Sequence, residues 1–291
     1  MMYNLGMVIP DNEYRNFFEA CKNHVGLNDV RTVSNRIFEL YERRNGQVTE
    51  DNIRDHFSQI ITDCIGLEKE SWDNMRNEIY RDWIQIFLQI EDRATLFPTI
   101  NQMIEETTIM LNNESTPATI NQINSNLADF NSRLRISLHQ SGFNRSGKSF
   151  EYHIERCFRI LGMRFQIQKT IDNQTLDFVF PNVQRIENIE NRGCAVMECQ
   201  TTLKDRFRLS TARGQHLNLA DKYAITGTGA GVVRDNDIDD FTERKLDEYV
   251  GANMIGVVLR PVAITINRQN IISFEDFVNV EYPRFSQMWN E

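Results

Sequence analysis

The 291-residue chain lacks most of the features that would place it by covalent or membrane constraints alone. Its five cysteines (Cys21, Cys64, Cys157, Cys194 and Cys199) are odd in number, scattered, and never spaced as C-x-x-C. That argues against a disulfide framework and a zinc ribbon. No stretch approaches the roughly 18 consecutive apolar residues of a membrane-spanning helix. Met1–Pro10 has no basic flank and only a short apolar run, so no secretory leader is expected and the setting read from the chain is cytoplasmic and reducing. Histidine is scarce, and His24 and His56 stand alone among polar neighbours. Positive charge is also short: the net charge of −9 argues against a generally basic nucleic-acid coat. What is present, 41% hydrophobic and 25% charged residues, is the balance of a globular protein of two ordinary domains.

The charge is unevenly spread. Residues 1–140 carry −8, residues 143–213 carry +4, and residues 214–291 carry −5. A basic segment of this kind can hold a polyanion inside an acidic protein. The hydrophobic texture changes at the same place. Residues 12–140 read as successive amphipathic helices, with apolar stripes such as Tyr14, Phe17, Phe18 and Cys21, then Ile53, Phe57, Ile60, Ile61 and Cys64 behind a Thr49 N-cap. A further run follows through Trp72, Met75, Ile79, Trp83, Ile86, Phe87 and Ile90. From about residue 143, strands alternate with helices. A helix is expected from Ser146 to Leu161, stopped by Gly162. Strands are expected at 165–168, 176–180, 194–201, 222–226 and 254–259, with helices at 203–219 and 238–250. The expected architecture is therefore an all-helical domain, 1–140, preceding an α/β domain with a mixed sheet, 141–291.

Three motifs carry possible chemistry. Gly142-Phe143-Asn144-Arg145-Ser146-Gly147-Lys148-Ser149 matches the phosphate-cradling pattern G-x-x-x-x-G-K-[ST], whose lysine reaches phosphate oxygens and whose serine binds Mg²⁺. A nucleotide hydrolase built on it needs a buried strand just before it. Arg133–Gln140 instead fits the end of an amphipathic helix, and the alternative is Arg145 and Lys148 holding another phosphate at a helix N-terminus. The second motif is a set of acids. Asp177 opens one strand and Glu198 lies near the end of another, with Gln200 two residues on and on the same face. Glu151 could approach from the preceding helix. Acids at adjacent strand ends can share a divalent cation, and D…E-x-Q is a variation on the D…(D/E)-x-K arrangement of metal-dependent nucleases. The third motif is Thr201-Thr202-Leu203-Lys204-Asp205-Arg206-Phe207-Arg208, where Lys204, Asp205 and Arg206 carry the groups that read neighbouring G·C pairs.

The order of these blocks resembles the catalytic domain of the EcoRII-type restriction endonucleases, in the PD-(D/E)xK nuclease superfamily. The resemblance runs through Arg145–Glu155, Gly162–Phe165, Asp177–Pro181 and Thr201–Arg208, within residues 143–260. It implies a restriction-endonuclease-like α/β core and Mg²⁺-dependent cleavage of double-stranded DNA at a short palindrome. It also implies that Lys204, Asp205 and Arg206 read the C·G pairs of a CC/GG-containing site of the CCGG or CCNGG/CCWGG type. In that reading Asp177 and Glu198 hold the metal, Gln200 positions water, Glu151 is an outer acid, and Arg145, Lys148 and Arg208 hold phosphates. A palindrome mirrors a two-fold protein, so a homodimer is expected. The chain departs from the family where Gln200 replaces a lysine. It departs again where Arg213 stands in place of an acid on the following helix, which Glu198 could replace. Residues 1–140 share no such resemblance. A non-cleaving DNA-binding relative is the other reading that the Gln200 substitution leaves open.

Overall fold

The computed structural model of the chain describes residues 8–26, 29–112, 116–171, 174–187, 194–200, 223–228, 254–266 and 271–290. Among these described residues six helices come first: α1 (Asp11–His24), α2 (Val30–Asn45), α3 (Glu50–Gln89), α4 (Arg93–Leu96), α5 (Pro98–Asn112) and α6 (Pro117–Ile160). Six strands follow: β1 (Gln166–Ile171), β2 (Gln174–Phe180), β3 (Ala195–Gln200), β4 (Tyr223–Thr228), β5 (Met254–Val258) and β6 (Ile271–Ser273). Short helices α7 (Val183–Glu187) and α8 (Arg260–Ile266) lie between strands, and helical turns from Phe274 to Asn290 end the described chain. The strands form one sheet in chain order, antiparallel from β1 through β3 and parallel from β3 to β6. This is the mixed sheet expected from the alternating texture. The helices expected at 203–219 and 238–250 lie outside the described residues. Among the described residues no helix is long and apolar enough to cross a membrane.

The chain divides into two compact units, but not at residue 140. One unit is drawn from Met1–Val33 and Lys69–Arg145, the other from Ser34–Glu68 and Ser146–Glu291. The first is held by an apolar core of helical stripes that includes Phe17, Trp83, Phe87, Ile100, Phe130 and Leu134. The buried carboxylate of Glu13 accepts the Ile100 N–H at 2.8 Å, satisfying a donor that the start of α5 would otherwise leave open. Residues 34–68 join the second unit because their stripe has its partners there. Phe57 stacks on Phe274 with ring centroids 4.9 Å apart and meets Phe158, which in turn meets Phe178, Phe180 and Phe277. Periodicity shows that a face is apolar, not which surface will cover it.

α6 corrects a second expectation. It is one helix from Pro117 to Ile160 rather than two meeting near Ser146. Thr116 caps its start through the Thr119 N–H. Its end is as read: Gly162 adopts φ +64°, and the Met163 N–H bonds the Phe158 carbonyl, as in a left-handed helix stop. Likewise Thr49 and Asn52 exchange side chain–backbone bonds at the start of α3. α3 then leaves helical geometry at His56 (φ −133°). Just past that point the buried Glu275 carboxylate accepts the Ser58 N–H at 2.8 Å and its hydroxyl at 2.7 Å.

Glu275→Ala leaves two buried donors without their acceptor. We expect it to lower the unfolding free energy by about 2–4 kcal/mol in urea titrations. A loss below about 0.5 kcal/mol would mean that these bonds do not hold the kink.

Candidate active site

The residues Gly142–Ser149 do not form a phosphate loop. All eight lie inside α6, with no strand before them. Gly142 and Ser149, two of the motif's letters, have local explanations. A Cβ on Gly142 would stand 2.7 Å from Trp72 Nε1, so the glycine permits close packing. Ser149 is buried; it bonds Ser34 at 2.7 Å, donates to Glu68, and stands 3.3 Å from His153 Nε2. It is thus part of a core polar network and is not presented to a metal or nucleotide. Arg145, expected to hold phosphate, is buried with its guanidinium 5.6 Å from the Trp72 ring centroid. The reading of Arg145 and Lys148 at a helix N-terminus fails for the same reason as the phosphate loop.

Lys148 points elsewhere. Its Nζ lies 2.5 Å from Glu151 Oε2, one turn along α6. Glu151 Oε2 also accepts from Gln168 Nε2 at 3.0 Å, and the same amide nitrogen stands 2.9 Å from Asp177 Oδ1. The other Asp177 oxygen accepts the Cys199 N–H at 2.9 Å. One hydrogen-bonded chain therefore links α6, β1, β2 and β3.

Strand register explains how. β2 and β3 pair Phe178 with Met197 and Val179 with Val196. One further step sets Asp177 opposite Glu198, and opposed residues of an antiparallel pair project from the same face. β1 and β2 pair Ile167 with Phe178 and Lys169 with Leu176, which sets Gln168 opposite Asp177. Gln168 holds φ +49°, a left-handed conformation uncommon for a residue with a side chain. Its amide spans two carboxylates from that position. Nothing in a motif flagged Gln168; the only signal was a polar residue in an alternating strand.

The acids oppose one another. Burial pushes the Glu151 carboxyl up from the ordinary 4.5 to about 7, with the Asp177 charge adding to the rise and Lys148 opposing it. Asp177 is raised too, chiefly by burial and partly by Glu198, while the Cys199 N–H, Gln168 and Lys148 favour its charged form. Glu198 is buried on β3. The main chain of Gln200 pairs with Thr228 on β4. Lys204, Asp205, Arg206 and Arg208 lie outside the described residues.

This donor set suits a hard divalent cation. A carboxylate whose ionised form is disfavoured by burial and a like charge, as Asp177 is, gains from a nearby cation, and Mg²⁺ is commonly held by one or two carboxylates with water and phosphate oxygens completing the shell. Among the described residues no group of three or more His, Cys, Asp and Glu side chains is placed to hold a metal ion.

Helices packed on a mixed sheet, with acids facing each other across two strands, define a nuclease-like core. The family described as EcoRII C terminal matches residues 102–278, more than half of the chain, and the chain belongs to this family of restriction endonucleases, which are site-specific DNA nucleases. The match begins within α5, well before the block read from the sequence. No curated protein sequence matches. Similar solved structures include Ecl18kI, metal-depleted and bound to uncleaved, modified DNA, with a TM-score of 0.71 and 17% identity over 98% of this chain and 87% of that one. A second Ecl18kI complex, with uncleaved DNA, gives a TM-score of 0.66. The complex of restriction endonuclease PspGI with substrate DNA gives 0.55 and 13% identity over 88% and 93%. At these identities the likeness is one of fold, and with Ecl18kI it extends through the helical first half.

The raised Glu151 carboxyl makes stability depend on pH. Between about 4.5 and 7 the folded protein keeps a proton that the unfolded chain has lost, so this group's contribution is full below 4.5 and lost as pH rises through 7. Thermal melts of Glu151→Gln are expected to lose that part of the pH dependence and to gain on the parent protein between pH 5 and pH 8. Parallel curves would show that Glu151 titrates normally.

Proposed function

We propose that this chain is a type II restriction endonuclease that hydrolyses duplex DNA, with Mg²⁺, at a short palindrome containing CC/GG (CCGG or CCNGG/CCWGG type). The observation that carries the reading is the register that sets Asp177 and Glu198 on one face across β2 and β3, with Glu151 in the field of Asp177. Asp177 and Glu198 are the residues that would hold the ion. When bound, it would supply positive charge to the scissile phosphate and bring water nearer to ionisation at neutral pH.

The chain's own groups do the positioning. Cys199 N–H and Gln168 fix the Asp177 carboxylate by both oxygens. Gln200 follows Glu198 by two residues and, as an amide that both donates and accepts, orients the attacking water. Glu151 stands as the outer acid, tied to Asp177 through Gln168. The water oxygen forms a new bond to phosphorus, one P–O ester bond breaks, and a proton from that water ends on the departing oxygen. Lys204, Asp205 and Arg206 read base edges, while Lys148 and Arg208 act on phosphates. A homodimer would match the two-fold site, with the acidic helical residues 1–140 supplying the dimer contact, accessory DNA contacts, or both. Two DNA complexes of similar fold support DNA as the partner.

Plasmid DNA rich in CC/GG sites should be cut into discrete fragments only when Mg²⁺ is added. Asp177→Ala is expected to slow cutting by at least about 100-fold. Failure of the parent protein to cut any such substrate, with specific binding retained, would favour a non-cleaving relative. Separately, Arg206→Ala should reduce discrimination against altered sites by about 1–3 kcal/mol, measured as the ratio of kcat/KM on matched and mismatched oligonucleotides. An unchanged ratio would remove Arg206 from base reading.

A further inference from the structure

A nucleophile that attacks a phosphodiester at this site meets negative charge from every side. Asp177, Glu198 and Glu151 supply it from the protein, and the phosphate brings its own. β3 contributes no compensating charge at the position two residues beyond Glu198, because the amide of Gln200 is neutral.

A protein-borne cation reaches the acids from the helix instead. Lys148 Nζ is 2.5 Å from Glu151 Oε2, and Glu151 is joined to Asp177 through one amide nitrogen of Gln168. A lysine–glutamate pair three residues apart is common on open helix faces. This one is drawn inward: the Glu151 side chain is 16% exposed and that of Lys148 32%. Its reach is also longer than the pair. The Gln168 amide carries the link on from Glu151 to Asp177 Oδ1, at 2.9 Å. An ammonium is a compact charge with three donors, so it can keep its bond to Glu151 and still donate to a phosphate oxygen.

We propose that Lys148 is the catalytic cation of this active site, delivered from α6 to the reacting phosphate in a chain whose residue two beyond Glu198 is the neutral Gln200. Glu151 then positions the ammonium in addition to any role as an outer acid. The proposal rests on the nuclease reading above and sharpens the role of Lys148 from a general phosphate contact to a group at the cleaved bond.

The test compares the parent protein, Asp177→Ala, Lys148→Met, Lys148→Gln and the double variant Lys148→Met/Gln200→Lys. Mg²⁺-dependent cutting by the parent, lost in Asp177→Ala, establishes the nuclease reading independently of Lys148; its absence rejects both. Lys148→Met is expected to cut about 100-fold slower or worse, with DNA affinity in Ca²⁺, read by gel shift, within about threefold of the parent. Lys148→Gln, which keeps a donor toward Glu151 and removes only the charge, is expected to match it and carries the test if the methionine variant does not fold. The double variant is expected to regain about tenfold or more of the lost rate, since a lysine two residues beyond Glu198 restores the charge from β3. Near-parental cutting by Lys148→Gln would overturn the proposal. So would a fall in affinity that matches the fall in rate, which marks a phosphate anchor, or a double variant no faster than the single one.

Discussion

Three carboxylates crowd the end of the β2–β3 ladder, and their mutual repulsion is the constraint around which the site is arranged. Left alone, such a cluster would take up protons or move apart. Here Asp177 and Glu151 are restrained by specific bonds and Glu198 by its strand. The Cys199 N–H and the Gln168 amide hold Asp177, the same amide and Lys148 hold Glu151, and Glu198 is fixed by its place on a paired strand. The protein thus keeps together negative charge that only a cation can fully neutralise. The unusual backbone of Gln168 fits the same logic, because a strained residue persists where its surroundings demand its side chain in one place.

The scaffold makes this arrangement rigid. β2 is covered by a continuous aromatic cluster, with Phe178 and Phe180 against Phe158 of α6 and Phe277 near the C-terminal end. Phe57 of α3 joins the same cluster through Phe158 and Phe274. Lys148 and Glu151 occupy the turns of α6 that precede Phe158. The packing that seats α6 therefore also sets the distance between its charged pair and the strand ends. Residues 34–68 belong to the unit that carries the site because they complete this core.

The parts legible in the sequence were those that depend on local period. Alternation located β2 and β3, although β2 begins at Gln174 and so Asp177 lies at its middle rather than opening it, and Gly162 and Thr49 marked helix termini. The parts that were not legible depend on tertiary partners. Gly142 and Ser149 completed a phosphate-loop pattern by letter, yet one is small to admit Trp72 and the other bonds Glu68 and Ser34 in the core. The pattern specifies residue types but not the strand that must precede them. Lys148 reads as a phosphate contact from sequence, with its partner Glu151 three residues on, but the bridge to Asp177 through Gln168 requires the β1–β2 register. The division at residue 140 followed a change of texture, whereas the folded units follow which apolar faces meet.

The central claim is that Asp177 and Glu198 share one divalent cation. Crystals of the protein soaked in Mn²⁺, with diffraction recorded at the manganese absorption edge, test it most directly. The expected result is one anomalous peak within about 2.5 Å of a carboxylate oxygen from each residue, lost in Asp177→Asn. A peak held by neither carboxylate, or none at the β2–β3 strand ends at saturating Mn²⁺, would contradict it.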